Sequence, residues 1–140
     1  MVNVAVMQTL KAHEWEKLLQ SVEEIYDGAI KELKRASKEG KPTLIRDACE
    51  KGWLAVVEAT NVFFLKKGLE PAESHKDRRE KLWKLEAEDD AVRNLGFYDR
   101  VNARAFSLHV QGFYEGALDE ESVRRELEKV RRYIDEVKKL

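Results

Sequence analysis

The stretch Pro42-Thr-Leu-Ile-Arg-Asp-Ala-Cys-Glu-Lys-Gly-Trp-Leu-Ala-Val-Val-Glu-Ala-Thr-Asn-Val-Phe-Phe-Leu-Lys-Lys-Gly68 decides the fold. Its apolar residues recur at steps of three and four, which is typical of a helix that follows Pro42 and ends at Gly68. Small residues on the apolar side would let another helix approach closely: Ala48, Gly52, Ala55 and Ala59. Trp53 and Val57 widen this side, so we predict that this helix is the central one.

Glycine and proline residues divide the rest of the chain into further helical segments. Apolar stripes predict a first helix over residues 6–38, a third over 75–95 and a fourth over 97–115. The fifth is predicted to start at Asp119, a good N-cap residue. No alternating pattern of a strand competes with these helices. The sequence therefore predicts an all-α fold, a single domain over residues 1–140 built as an antiparallel up-and-down bundle of about five helices.

The charge balance limits the classes of partner. Charged residues make up 38% of the chain, yet the net charge is −1. A strongly basic nucleic-acid binder would carry a large positive excess, so only a local basic patch remains open. The charged run from Lys76 to Lys84 contains both signs, which is typical of a solvated helix face. The abundance of Lys, Arg and Glu is similar to that of hyperthermophile proteins.

The cysteine count and the hydropathy indicate where the protein works. With Cys49 as the single cysteine, no intrachain disulfide can form, and a reducing cytosol is the expected environment. The pattern around Cys49 predicts a small packed residue rather than a nucleophile. Glu58 and Asn61 interrupt the apolar run over residues 52–65, so no membrane span is predicted. We expect a soluble, cytoplasmic protein that does not bind membranes.

The pair Arg104 and His109 is the candidate for catalysis. An imidazole can take or give a proton near neutral pH, and a guanidinium binds phosphate through its fixed fork of donors. On an α-helix the five-residue step between them rotates by about 140°, so the two side chains are not expected to share a face. The alternatives without chemistry are a core His109 bonded to Asn102 and an Arg104 paired with an acid on a neighbouring helix.

Four more residues of this predicted helix are candidates for ligand binding. Arg100 and Gln111 lie with Arg104 on its polar side, whereas Asn102 lies nearly in line with His109. Tyr114 follows His109 near the end of the same segment. A cleft beside this helix is therefore the predicted binding site.

No metal site and no cofactor are predicted. His13, His75 and His109 lie on different segments without regular ligand spacing, and Cys49 has no second thiol beside it. There is no phosphate-binding glycine loop. The acidic pair Asp89-Asp90 is typical of a solvated surface. The tryptophans are expected to anchor the core or an interface: Trp15, Trp53 and Trp83.

Several segments, in this order, resemble the HEPN superfamily of helical domains, and in particular its archaeal PaREP-type branch. They are Ala48-Cys-Glu-Lys-Gly-Trp53, Gly68-Leu-Glu-Pro71 with Ser74-His75, Ala105-Phe-Ser-Leu-His109, Phe113-Tyr-Glu-Gly116 and the amphipathic helix from Asp119. The resemblance covers roughly residues 15 to 140. It implies a helical bundle of the kind that often accompanies nucleotidyltransferases, and hence a nucleotidyltransferase-type partner protein.

The resemblance also implies two possible functions, a ribonuclease and a non-catalytic binding module. Active HEPN ribonucleases carry an Arg and a His four to six residues apart near the start of a late helix, and two copies meet in a dimer that cleaves RNA without metal. Arg104 and His109 fit this spacing, but active members usually place a polar residue after the Arg, where this chain has Ala105. The preferred hypothesis is therefore a non-catalytic homodimer that binds a nucleotide, nucleic acid or a partner protein. The alternatives are a metal-independent, toxin-like ribonuclease and a structural or interaction bundle without a ligand site.

Overall fold

The computed structural model describes residues 3–140, apart from the side chains of residues 7–11, and this part of the chain contains helices and no strand. The all-α prediction is therefore confirmed. The elements are α1 (Val4–Glu39), α2 (Pro42–Lys66), α3 (His75–Glu88), α4 (Asp90–Leu95), α5 (Phe97–Arg104), a π-helical segment (Ala105–Tyr114) and α6 (Glu120–Lys139). None of the helices in the described ranges is long and apolar enough to cross a membrane.

The central helix is α2, as its sequence predicts. It packs along α1 as a helical hairpin and also contacts α6 and the π segment. The small residues allow close approach: a Cβ added to Gly52 would lie 2.6 Å from the Leu127 Cδ2 of α6. Trp53 is buried with only 4% of its surface exposed. The core therefore forms around α2. A site beside this helix has a closely packed, buried helix as one of its walls.

The third predicted helix is interrupted at Asp89, which corrects the prediction of one helix over residues 75–95. Asp89 has an extended backbone with φ −142° and ψ 114°. Its carboxylate accepts hydrogen bonds from the amides of Ala91, at 2.9 Å, and Val92, at 3.4 Å. An aspartate that caps free first-turn amides starts a new helix in preference to continuing the old one. The chain therefore turns at Asp89 and α4 begins there.

The fourth predicted helix changes its winding halfway. From Ala105 to Tyr114 it is π-helical, and the amide of Glu115 donates to the carbonyl of Val110, five residues earlier, at 2.9 Å. A π-helix closes its turns over five residues instead of four, and short π segments are frequent at functional sites. The rotation of about 140° expected for an α-helix is therefore wrong for this segment.

Ion pairs connect the first and last helices. Arg131 of α6 donates to both carboxylate oxygens of Glu23 of α1, each at 2.8 Å, and Lys138 adds a further bond at 3.0 Å. The hydrogen bond from Arg131 lowers the pKa of Glu23 to about 2. A bidentate pair of this kind fixes geometry as well as contributing energy. The pair of Arg131 and Glu23 therefore fixes α6 against α1.

Candidate functional site

A cavity of about 360 Å³ lies between α2, α3 and the helix formed by α5 and the π segment. We call it the Arg78 cavity. Its walls combine aromatic, imidazole and guanidinium groups: Trp53, His75, Arg78, Arg79, Val101, Asn102, Ala105, Phe106, His109 and Val110. A concave site with a mostly apolar lining and a few convergent polar groups is typical of ligand-binding sites.

Arg78 is a buried cation that forms no ion pair with the described residues. Only 6% of its surface is exposed. Its guanidinium lies 5.6 Å from the centre of the Trp53 ring, and its Nη1 donates to Nδ1 of His75 at 2.8 Å. Among the described residues no carboxylate forms an ion pair with Arg78, and its buried Nε has no hydrogen-bond acceptor. Burial lowers the pKa of Arg78, but a guanidinium remains charged at neutral pH.

His75 is held at the first turn of α3 by local hydrogen bonds. Ser74 caps the helix by accepting from the amide of Asp77 at 3.0 Å, and Asp77 in turn accepts from the amide of Glu73 at 2.9 Å. Because a guanidinium can only donate, Nδ1 of His75 must accept from Arg78. Partial burial and the charge of Arg78 lower the pKa of His75. We therefore assign a neutral ring whose proton is on Nε2.

His109 has the opposite tautomer. Its Nδ1 lies 2.9 Å from Oε2 of Glu50, and a carboxylate can only accept, so Nδ1 carries the proton. In the neutral ring Nε2 is then an acceptor, and it has no hydrogen-bond partner in the described part of the chain. The ring centre lies 5.9 Å from those of both Trp53 and His75. Two neighbouring imidazoles therefore offer complementary groups, a donor on His75 and an acceptor on His109.

The end of the π segment is fixed against α2. Arg46 donates from Nε to the carbonyl of Phe113 at 2.7 Å and from Nη2 to that of Tyr114 at 3.0 Å. Gly112 packs so closely that an added Cβ would lie 2.5 Å from Sγ of Cys49. Cys49 is fully buried, which confirms the prediction of a small packed residue, and this burial raises the pKa of its thiol to about 12.

The structure separates the two candidates for catalysis. Arg104 turns to α6, where its Nε lies 2.6 Å from Oε2 of Glu126, while His109 turns to Glu50 of α2 and lines the cavity. The expected alternative for Arg104, a pair with an acid on a neighbouring helix, is what the structure contains. For His109 the expected hydrogen bond to Asn102 is wrong, because Glu50 takes that place.

Of the four predicted binding residues, some lie at the Arg78 cavity and others lie away from it. Asn102 lines the Arg78 cavity, and Tyr114, 64% exposed, places its ring edge-on to His109 at 4.8 Å. Arg100 turns away and forms an ion pair with Glu136 of α6. Gln111 is half-buried and does not line this cavity. The cavity thus brings together His109 and Asn102, with Tyr114 beside His109, but not Arg100, Arg104 or Gln111.

Sequence reasoning missed the contribution of α3. The charged run from Lys76 to Lys84 is not simply a solvated face, because it contains the buried Arg78 and a half-buried Lys81. One signal was available: Arg78 lies four residues before Leu82 and seven before Leu85, at a position of the apolar stripe. A charge on the buried side of a helix indicates either a pairing or a function.

Comparison with known protein families finds a match over most of the chain. The model of the archaeal PaREP1/PaREP8 family matches residues 24–134. No curated protein matches the chain, and no solved structure does. The matched range includes all the residues that line the Arg78 cavity.

Proposed function

We propose that this chain, which belongs to the archaeal PaREP1/PaREP8 family, is a binding module for a phosphate-bearing ligand, a nucleotide or RNA, held in the Arg78 cavity. The observation that carries the proposal is the buried guanidinium of Arg78, which has no carboxylate partner among the described residues. An uncompensated charge in a protein interior is costly, and folded proteins normally pair it. A bound phosphate would supply the missing negative charge.

The surrounding groups suit a phosphate. The planar fork of a guanidinium matches phosphate oxygens, and charge-assisted hydrogen bonds are stronger than neutral ones. Arg79 adds a second guanidinium to the cavity wall, and His75 adds a donor at Nε2. Trp53 supplies an apolar, aromatic floor. The resemblance to the HEPN superfamily, whose domains act on RNA or accompany nucleotidyltransferases, points to the same ligand class.

Inorganic triphosphate tests the proposal without a base or sugar. We expect it to raise the melting temperature by several degrees, since a ligand at 100 times its Kd stabilises the native state by about 2.7 kcal/mol. A calorimetric titration should give one site per chain. Sodium chloride at equal ionic strength is the control for general screening. If millimolar triphosphate neither shifts the melting temperature nor produces binding heat, the proposed site does not bind phosphate.

Metal-independent cleavage of RNA is the second candidate, favoured by the complementary imidazoles. In this scheme Nε2 of His109, oriented by Glu50, takes the proton of the 2′-hydroxyl, which then attacks the neighbouring phosphorus. The neutral His75 donates a hydrogen bond from Nε2, and Arg78 donates charged ones, to the phosphate oxygens as negative charge builds there. The proton that His109 accepted is relayed through water to the leaving 5′-oxygen. The products are a 2′,3′-cyclic phosphate and a free 5′-hydroxyl. Arg104, paired with Glu126, has a positioning role here in holding the π segment on α6.

Cleavage of single-stranded RNA in excess chelator tests this second candidate. A general base typically contributes about 10²- to 10⁴-fold and one donor to a developing oxyanion about 10²- to 10³-fold, so His109→Gln and His75→Leu should each lower the rate by at least ~100-fold. Arg104→Met should have a smaller effect. Equal cleavage by wild type and both histidine variants would assign any activity to a contaminant, and the chain would remain a binding module.

A homodimer is part of the proposal. Phe106, Val110 and Tyr114 form an exposed apolar stripe on the π segment, with 58%, 37% and 64% of their surfaces accessible. Two of them, Phe106 and Val110, also line the Arg78 cavity, so a second copy on this stripe would cover its mouth. A two-fold interface places the same patch on both sides. Light scattering should give a dimer for wild type and a monomer for Phe106→Ser/Tyr114→Ser, whereas a strictly monomeric wild type would contradict the dimer.

A further inference from the structure

Trp83 is a large aromatic side chain on the surface. It was expected in the core or at an interface, and because 64% of its surface is exposed, the core alternative is wrong. Its indole contacts the ring of Tyr98 edge-to-face with 5.2 Å between ring centres. The backbone of Tyr98 is fixed in turn, because its amide donates to Oε2 of Glu86 at 2.8 Å. Trp83 is therefore an exposed ring with a defined neighbour, not a side chain that lacks contacts.

A shallow cleft that is lined by Trp83 adjoins the Arg78 cavity and shares one wall residue with it. Arg79 lines both the cavity and this second cleft, whose other walls are Lys76, Glu80, Trp83 and Tyr98. Arg79 and Trp83 are separated by one helical turn of α3, or ~6 Å along its axis. Among the described residues Arg79 has no ion-pair or hydrogen-bond partner. A cation free to bind phosphate thus lies between the buried Arg78 and the exposed indole.

The charge changes sign beyond Trp83. A third cleft, which shares Trp83 and Tyr98 with the second but not Arg79, is also lined by Glu86, Asp99 and Arg93, and Arg93 is already paired with Asp90. Carboxylates repel a second phosphate but accept hydrogen bonds from amino groups of a base. The surface therefore changes from cationic at Arg78 and Arg79, through aromatic at Trp83, to acidic at Glu86 and Asp99. That order suits a ligand with phosphate at one end and a base at the other.

We propose that Trp83 is a base-stacking subsite, so that the ligand of the Arg78 cavity is a nucleotide whose base lies on the indole. This proposal rests on phosphate binding in the cavity and adds the class of group attached to that phosphate. The sugar of the nucleotide would span the turn between Arg79 and Trp83. Stacking of a base on an aromatic side chain tolerates different bases. It contributes enough binding free energy for a nucleotide to bind more tightly than a phosphate chain without a base.

The test compares ATP with inorganic triphosphate, in the absence of metal, on the wild type and two variants. Trp83→Ser removes the ring, whereas Trp83→Phe keeps an aromatic face. We expect ATP to bind wild type about 10-fold tighter than triphosphate does, the effect of one base–aromatic stack. Trp83→Ser should lose this preference with unchanged triphosphate affinity, and Trp83→Phe should keep most of it. Because Trp83 is exposed, neither variant should alter the melting temperature appreciably.

The outcomes separate this inference from the proposed function. If ATP and triphosphate bind wild type equally, or if Trp83→Ser leaves the preference for ATP intact, the stacking subsite is wrong while the phosphate site stands. If neither compound binds, phosphate recognition itself fails and the stacking subsite fails with it. Loss of triphosphate binding in Trp83→Ser would also contradict the inference, because it would make Trp83 part of the phosphate site.

Discussion

Arg78→Met is expected to weaken the binding of triphosphate strongly without destabilising the fold. Hydrogen bonds to a charged group contribute about 1.5–3 kcal/mol, so affinity should fall by roughly 10- to 150-fold. Stability should be unchanged or higher, since replacing buried ionic groups by apolar ones of similar size is often neutral or stabilising by about 1–4 kcal/mol. The combination is diagnostic: a residue kept for structure would lose stability, whereas one kept for a ligand loses binding.

Two further variants complete the Arg78 experiment. Arg132→Met removes an exposed guanidinium of α6 and should leave both affinity and melting temperature as in wild type. Arg78→Lys keeps a charge but loses the planar fork, so it should bind triphosphate with intermediate affinity. Calorimetry and thermal melts measure both quantities on the same samples. Wild-type affinity in Arg78→Met would remove the basis of the proposed function, as would a sharp loss of stability with unchanged affinity.

Gly112→Ala is expected to have the largest effect on stability. The new Cβ would lie 2.5 Å from Sγ and 2.8 Å from Cβ of Cys49, and 3.2 Å from the carbonyl oxygen of Ser107. Two of these three atoms cannot move without moving backbone. Overpacking of a tight core typically costs about 1–3 kcal/mol, and we expect the upper part of that range here. The π segment must shift away from α2, so His109 should be displaced from Glu50 and triphosphate affinity should fall as well.

Matched variants distinguish overpacking from a general effect of alanine. Gly28→Ala in α1 would place a Cβ 3.6 Å from Cδ of Lys51, an ordinary contact, and should stabilise the helix by roughly 0.5–1 kcal/mol. Cys49→Ala removes the Sγ clash, so Cys49→Ala/Gly112→Ala should recover part of the stability lost by Gly112→Ala. The measurement is a double-mutant cycle by denaturant unfolding. If Gly112→Ala is as stable as wild type, the close packing of the π segment on α2 is wrong.

The long helices could be predicted from the sequence because periodicity and caps agree in them. Pro42 begins α2, Asp119 caps α6, and the apolar residues within each of these two helices keep the period of 3.6. The break at Asp89 was harder to predict, since its carboxylate has an equally good place on a helix surface. Asp89 caps α4 instead, because two free amides, those of Ala91 and Val92, are within reach of its carboxylate.

The candidate site was predictable only in part. His109 and Asn102 were found because they lie in a segment with few other polar residues. Arg104 was paired with His109 by spacing alone, and the contact of Arg104 with Glu126 depends on how α6 packs, which spacing does not contain. The π-helical winding has no distinct apolar period over ten residues. His75 and Arg78 were missed because Arg78, which faces the core, lies among exposed charged residues of the same run.

The most direct test of the central claim observes the Arg78 side chain itself. The Nε–H resonances of 15N-labelled arginines can be followed during titration with inorganic triphosphate, and Arg78→Met identifies the Arg78 signal. We predict that this resonance shifts in a saturable way, with the affinity measured by calorimetry, because its buried Nε has no acceptor among the described residues. A saturable shift confined to exposed arginines such as Arg132, with the Arg78 signal unchanged, would contradict phosphate binding in the Arg78 cavity.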